Sequence, residues 1–419
     1  MESRRGRMWI MVLLGALVYL TNYTDKVVMG TMGPHLIRTF HFSKVDLGLV
    51  FSAFGLTYTF LQIPIARWSE SKGHRIGVAA MTTFYGLFTV FSGFWASNLG
   101  GLVGVRALTG LGESASMPAV TGALTRWVPR RLRALSQGVM HAFTRLGAAI
   151  TVPLSVFALL HFGITGPFWL FGILTIGIGI AWLILFRNSP DSGVSSPPKA
   201  KPMDWRALFR NRSVWALCLA DFCYFYTLTI YLTWFPTFLV VHRHFTLLKV
   251  GLIGGLPFLG GAIGGMVGGR ISDFLGARTG RIGFWRRIIP FIGMLGSVAL
   301  VLPAAFAKQE TLAITLFTIS FFFLDATISV FWAIAMDIGG ENAGTVAGLM
   351  NTWANIGGLL SPLVFGILVQ DTGSWTLPFE VSSVLMVIGA ILVWGIHIDR
   401  GGPTDQTPRV DSHALRIRS

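Results

Sequence analysis

Charge is in short supply in this sequence. Asp, Glu, Lys and Arg together make up 12% of its 419 residues, about half the share of a soluble globular chain. The shortage falls on the acids: 18 Asp and Glu stand against 33 Lys and Arg, a formal charge of +15. Cysteine is scarcer still. The two residues, Cys218 and Cys223, exclude a disulfide-built secreted domain and are expected to serve packing. The sequence also lacks GxxxxGK[ST], HExxH and paired CxxC patterns. It therefore encodes no P-loop ATPase, no metal site and no catalytic constellation, and no cofactor is expected. A basic excess of this size otherwise points to nucleic acid, but nucleic-acid binders are not this apolar.

What the sequence has is hydrophobic length. Apolar residues reach 53% and mean hydropathy is +0.65. A bilayer-spanning helix needs about 20 apolar residues. Twelve such runs are present, near 8–28, 47–66, 76–96, 99–124, 135–160, 166–187, 213–241, 250–272, 287–306, 311–336, 343–369 and 376–397. None alternates as β-barrel strands do. The first run follows Arg4, Arg5 and Arg7 but has no small-residue cleavage site and holds Asp25 and Lys26, so it reads as a helix and not a signal peptide. The sequence predicts an all-α membrane protein.

The basic residues then set orientation. With the N-terminus inside, most of them fall on cytoplasmic segments, and the outer loops receive only Arg38, Lys44, Arg243, Lys249 and Lys308. The positive-inside rule thus puts both termini in the cytoplasm. The longest polar stretch, 188–212, carries Ser195-Ser196-Pro197-Pro198 and reads as a linker dividing the spans six and six: an N-terminal bundle over 1–187 and a C-terminal bundle over 213–398. Residues 399–419 form a polar cytoplasmic tail.

The halves echo one another. ARWSESKGHR at 66–75 and GRISDFLGAR at 269–278 both follow the second span of their half, each with an acid (Glu70, Asp273), then Gly, then Arg (Arg75, Arg278). Internal duplication of this kind marks repeat-built transporters. Two glycine ladders, Gly260-Gly264-Gly268 and Gly261-Gly265-Gly269, lie in the eighth run and read as close helix packing, not a dinucleotide loop.

Ionisable groups inside a bilayer are costly and mark pathways or relays. There are seven: Asp25, Lys26, Arg106, Glu113, Arg145, Asp221 and Asp325, one more acid than cations. Asp25 and Lys26 are adjacent and point about 100° apart on a helix, so each is expected to pair with other helices. Arg106 and Glu113 share a face with Gly110 between them. Tyr58 and Gln62 share a face of the second span, as Asn351 and Asn355 do in the eleventh. His141, Thr144 and Arg145 lie together in the fifth span, and an extra cation there suits a substrate with a second anionic group. Asp221 is a candidate for substrate hydroxyls or for pairing Arg145. Asp325 shares a face with Ser329 and Trp332. Trp234 and Pro236 are expected to shape or gate the seventh span.

The repeated loop resembles the motif of the major facilitator superfamily. Other stretches resemble its anion:cation symporter family, which includes bacterial sugar-acid permeases: Asn22-Tyr23-Thr24-Asp25-Lys26, FSAFGLTYTFLQIP at 51–64, Arg106-Gly110-Glu113, LTWFPTFLV at 232–240 and AGTVAGLMNTWANIGGLLSP at 343–362. The resemblance implies two six-helix bundles around a central cavity, acting as a monomer in a bacterial inner membrane. It implies proton-coupled symport of a small organic anion by alternating access. Asp25 and Glu113 would take protons, Arg106 and Lys26 would bind the substrate carboxylate or balance those acids, and Tyr23 and Tyr58 would contact substrate. Lys26 stands where the family usually carries Arg, and Lys cannot make a bidentate fork. Organophosphate:phosphate exchange on the same fold and a metabolite sensor are the alternatives. Three intramembrane cations argue against a cationic drug as substrate.

Overall fold

A computed structural model describes residues 2–125, 127–129, 132–187, 209–339 and 343–398. Most of the expected linker, and all of the expected tail over 399–419, lie outside these residues. The described chain is helical throughout. Its helices are α1 (Glu2–Phe40), α2 (Lys44–Ser71), α3 (His74–Phe94), α4 (Leu99–Ser114, continued by Ser116–Thr125), α5 (Arg133–Phe162) and α6 (Thr165–Leu185). There follow α7 (Arg212–Thr233, continued by Phe235–Thr237 and a π-helical turn Phe238–His242), α8 (Leu247–Ile253 and Leu256–Thr279), α9 (Ile282–Phe306), α10 (Glu310–Gly339), α11 (Ala343–Thr372) and α12 (Leu377–Trp394). Ten of the helices are long and apolar enough to cross a membrane. The other two are α1, diluted by its Asn22-to-Lys26 stretch, and α4, interrupted at Ala115.

The expected runs map onto these twelve, with two differences. The first helix continues well past residue 28, to Phe40. Spans four, seven and eight are each broken just upstream of a proline, whereas Pro34, Pro64, Pro153, Pro290, Pro303 and Pro362 lie inside helices that continue. Pro118, Pro236 and Pro257 have no N–H to give the carbonyl four residues back, and the helix yields just upstream of each. In α7 the carbonyl deprived in this way is that of Leu232.

The halves are built alike. In the first, α1 packs on α5, α2 on α4 and α3 on α6. In the second, α7 packs on α11, α8 on α10 and α9 on α12. Each pairing recurs six helices later, which gives the duplicated loops a structural counterpart: two six-helix bundles. Between halves, α2 runs along α11, α5 along α8, and α1 meets α7.

These inter-half contacts close the end of the bundle opposite the N-terminus. Gly30 of α1 lies against the carbonyls of Leu232 and Thr233, where a Cβ would come within 2.5 and 2.7 Å. Arg38 donates to the Val240 carbonyl (3.1 Å) and Ser52 to that of Leu359 (2.8 Å). Val27, Met32 and Leu36 share one apolar core with Trp234, Phe235 and Phe238. At the other end, the core around Met8, Val12, Leu124, Trp182 and Phe186 is made of first-half residues alone.

Candidate functional site

Six of the seven intramembrane ionisable groups form three acid–cation pairs at the middle of the bundle. Asp25 Oδ2 accepts from Arg106 Nη1 (2.5 Å) and its Oδ1 accepts from Thr89 (2.9 Å). Lys26 donates to Glu113 Oε1 and to the Asn22 carbonyl (3.0 Å). The adjacent residues of α1 therefore reach two different residues of α4, and the pairs are crossed: Arg106 and Glu113 share a helix face but bind partners on α1 instead of each other. Glu113 is fully buried, whereas the Lys26 side chain is 18% exposed. Lys26 is thus the accessible member of its pair.

The third pair joins the halves. Arg145 of α5 forks onto Asp325 of α10, with Nε to Oδ2 at 2.5 Å and Nη2 to Oδ1 at 2.8 Å. Tyr224 of α7 donates to the same Oδ1 (2.6 Å). Sequence reasoning offered Asp221 as a partner for Arg145, but the structure gives Arg145 to Asp325. Asp221 is buried, and its Oδ1 has no hydrogen-bond partner among the described residues. It is the odd acid of the seven. A charge-matched triplet of pairs explains how so many ionic groups are held in an apolar bundle, since a lone buried charge is far costlier than a paired one.

Aromatic rings bind the pairs into one site. Lys26 Nζ lies 5.2, 4.9 and 5.1 Å from the ring centres of Tyr23, Phe54 and Tyr58. Arg106 also lies over the Phe54 ring (4.8 Å), and Arg145 over Tyr23 (5.1 Å). Tyr23 is therefore a platform shared by the Lys26–Glu113 pair and the inter-half pair. Cation–π contact partly replaces the hydration these cations give up.

The remaining candidates are more dispersed. Gln62 meets Asn351 across the halves (3.4 Å), while Asn355 is buried with an Nδ2 lacking an acceptor among the described residues. His141 is exposed, edge-on to Tyr19 (5.5 Å) and facing Trp332 of the other half (6.4 Å). Thr144 turns its hydroxyl back to the His141 carbonyl (2.6 Å). Ser329, expected beside Asp325, bonds instead to the Gly265 carbonyl on α8 (2.8 Å). Trp234 donates to the Pro362 carbonyl and stacks on Phe365.

In the loop motif, Asp273 accepts from Arg286 (2.7 Å), which also reaches Asp337 (3.0 Å). Arg278 is exposed, and Arg75 donates to the Leu183 carbonyl (2.6 Å). The Glu70 side chain lies outside the described ones. Sequence reasoning missed Phe54, Tyr224 and Arg286. Phe54 was legible as the i−4 neighbour of Tyr58 and Tyr224 as the i+3 neighbour of Asp221. Arg286 was counted only as a topology charge.

A twelve-helix bundle of two like halves, with ionic pairs buried at its middle, defines a class: polytopic membrane carriers. The chain belongs to the major facilitator superfamily, whose family model matches residues 12–362. It is a multi-pass membrane transporter and not an enzyme. It is similar to a probable sulfoacetate transporter of Cupriavidus necator, 35% identical over 392 residues that cover 90% of each chain. It is 27% identical to the hexuronate transporter of Bacillus subtilis, over 91% of this chain and 93% of that one. It is 28% identical to a D-galactonate transporter of Escherichia coli, over 88% and 90%. Among solved structures, its fold is similar to a bacterial homolog of the human lysosomal transporter Spinster in an inward-facing, occupied conformation. That likeness has a TM-score of 0.75 at 19% identity over 91% of this chain and 95% of that one.

Proposed function

We propose that the protein is a proton-coupled symporter of a small organic anion, a sugar acid or related carboxylate, in a bacterial plasma membrane. Both termini face the cytoplasm in this reading, the bundles comprise 1–187 and 213–398, and 188–212 links them. The observation that carries it is the crossed pairing of Asp25 with Arg106 and of Glu113 with Lys26. A proton on either acid removes the charge its cation is holding. The freed cation then needs another anion, and a substrate carboxylate supplies it. Proton and anion binding are thereby tied through the same atoms. Relatives named for sulfoacetate, hexuronate and galactonate support an anionic substrate.

With the termini cytoplasmic, the closed end is the outer one, and this form opens inward. Protons enter from outside and load Asp25 and Glu113. Arg106 and Lys26 take the anion against the Tyr23 and Tyr58 rings, the halves rock, and both cargoes leave inward. Purified protein in liposomes with an acidic exterior tests this with a panel of radiolabelled acids. Accumulation that a protonophore abolishes is expected for at least one acid. Uptake indifferent to the protonophore but stimulated by internal phosphate would replace symport with phosphate exchange.

A further inference from the structure

The Arg145–Asp325 pair differs in kind from the other two, because it is the one of the three that crosses from one half to the other. Its Arg145 lies over the Tyr23 ring, over which Lys26 also lies. The fork occupies two nitrogens of Arg145. The third, Nη1, is buried and has no acceptor among the described residues, although Arg145 itself is only 8% exposed. Asp325 is held by the fork and by the Tyr224 hydroxyl, and it packs against Gly261, where a Cβ would lie 2.4 Å from Oδ2. An acid placed so firmly across a domain boundary resists any motion that separates α5 from α10.

We propose that this bridge is a latch between the halves, and that Asp325 stands in for the second acidic group of a dianionic substrate. The inference rests on the symport reading and narrows its substrate to anions with a carboxylate at one end and a second strong acid, sulfonate or carboxylate, at the other. One end meets Lys26 and Arg106, and the other takes Arg145 from Asp325. The exchange is one anion for another, so Arg145 is never left as an uncompensated buried charge, which is the costly state. Asp325 takes a proton as Arg145 leaves it and keeps the Tyr224 hydroxyl as partner, so it is not left as a lone buried charge either. A monoanion fills the first position but leaves the bridge closed. Lys26 and Arg145 both lie over one ring, so a short dianion spans them.

The test uses the full chain in detergent, spin-labelled at Phe162→Cys and Leu248→Cys, exposed positions at the closed ends of α5 and α8. The native cysteines are buried. Wild type is expected to give one short distance. Asp325→Asn adds a longer population at least about threefold above wild type. The swap Arg145→Asp with Asp325→Arg restores the short one, which separates latch opening from misfolding. Sulfoacetate lengthens the distance in wild type, and its two monoanionic fragments, acetate and methanesulfonate, do not. An Asp325→Asn distribution identical to wild type overturns the latch, and equal responses to sulfoacetate and its fragments overturn the dianion requirement. If wild-type liposomes take up no organic anion at all, the symport reading fails, while the ligand-free Asp325→Asn distances still decide the latch.

Discussion

At the residue scale the site is a matter of charge matching. The four acids and three cations were legible in the sequence as a set, because ionisable side chains inside apolar runs stand out. Their pairing was not legible. Helical spacing shows which residues share a face, and it placed Arg106 with Glu113; it says nothing about which neighbouring helix is nearer, and α1 is. Arg145 and Asp325 are 180 residues apart and meet only where the two halves pack together. Removing one member of a buried pair costs more than removing both. Arg106→Ala leaves Asp25 with Thr89 alone and is expected to destabilise the protein by roughly 3–5 kcal/mol and to abolish anion binding. Combining it with Asp25→Asn is expected to restore most of the thermal stability but none of the transport. Thermal unfolding and uptake of the two variants, measured side by side, check both halves of this expectation.

At the element scale, the breaks in α4, α7 and α8 each lie just upstream of a proline, while six other prolines sit inside helices that continue. The sequence showed those residues but not whether a long apolar run would bend around them or stop. The glycine ladders were more readable. Gly264 and Gly268 let α8 lie directly on α10, where a Cβ would come within 2.0 Å of the Phe322 carbonyl and 2.1 Å of that of Ala326. Backbone atoms cannot move aside as a side-chain end can. Gly264→Ala is therefore expected to push the two helices apart and cost about 1–3 kcal/mol, seen as a lowered unfolding temperature. Asp325 lies on the same helix, so the variant is also expected to weaken the fork to Arg145. An unchanged melting profile would mean that the two helices are not in contact in the membrane.

At the scale of the whole molecule, twelve spans and two like halves were readable because the bilayer imposes a length and duplication leaves an echo. The closed end was not readable. It depends on the fit of Gly30 to α7 and of Ser52 to α11, contacts between halves that one sequence does not report. In the proposed reading proton and anion travel together because a half moves freely only when each of its buried cations has an anion, from the protein or from the substrate. Glu113 is the acid whose partner is the most exposed of the three cations, so Glu113→Gln tests this most directly. In liposomes with an acidic exterior, the variant is expected to lose uphill uptake of the transported anion while keeping counterflow exchange, which needs no net proton movement. Uphill uptake at wild-type levels in Glu113→Gln would contradict coupling through the Lys26–Glu113 pair.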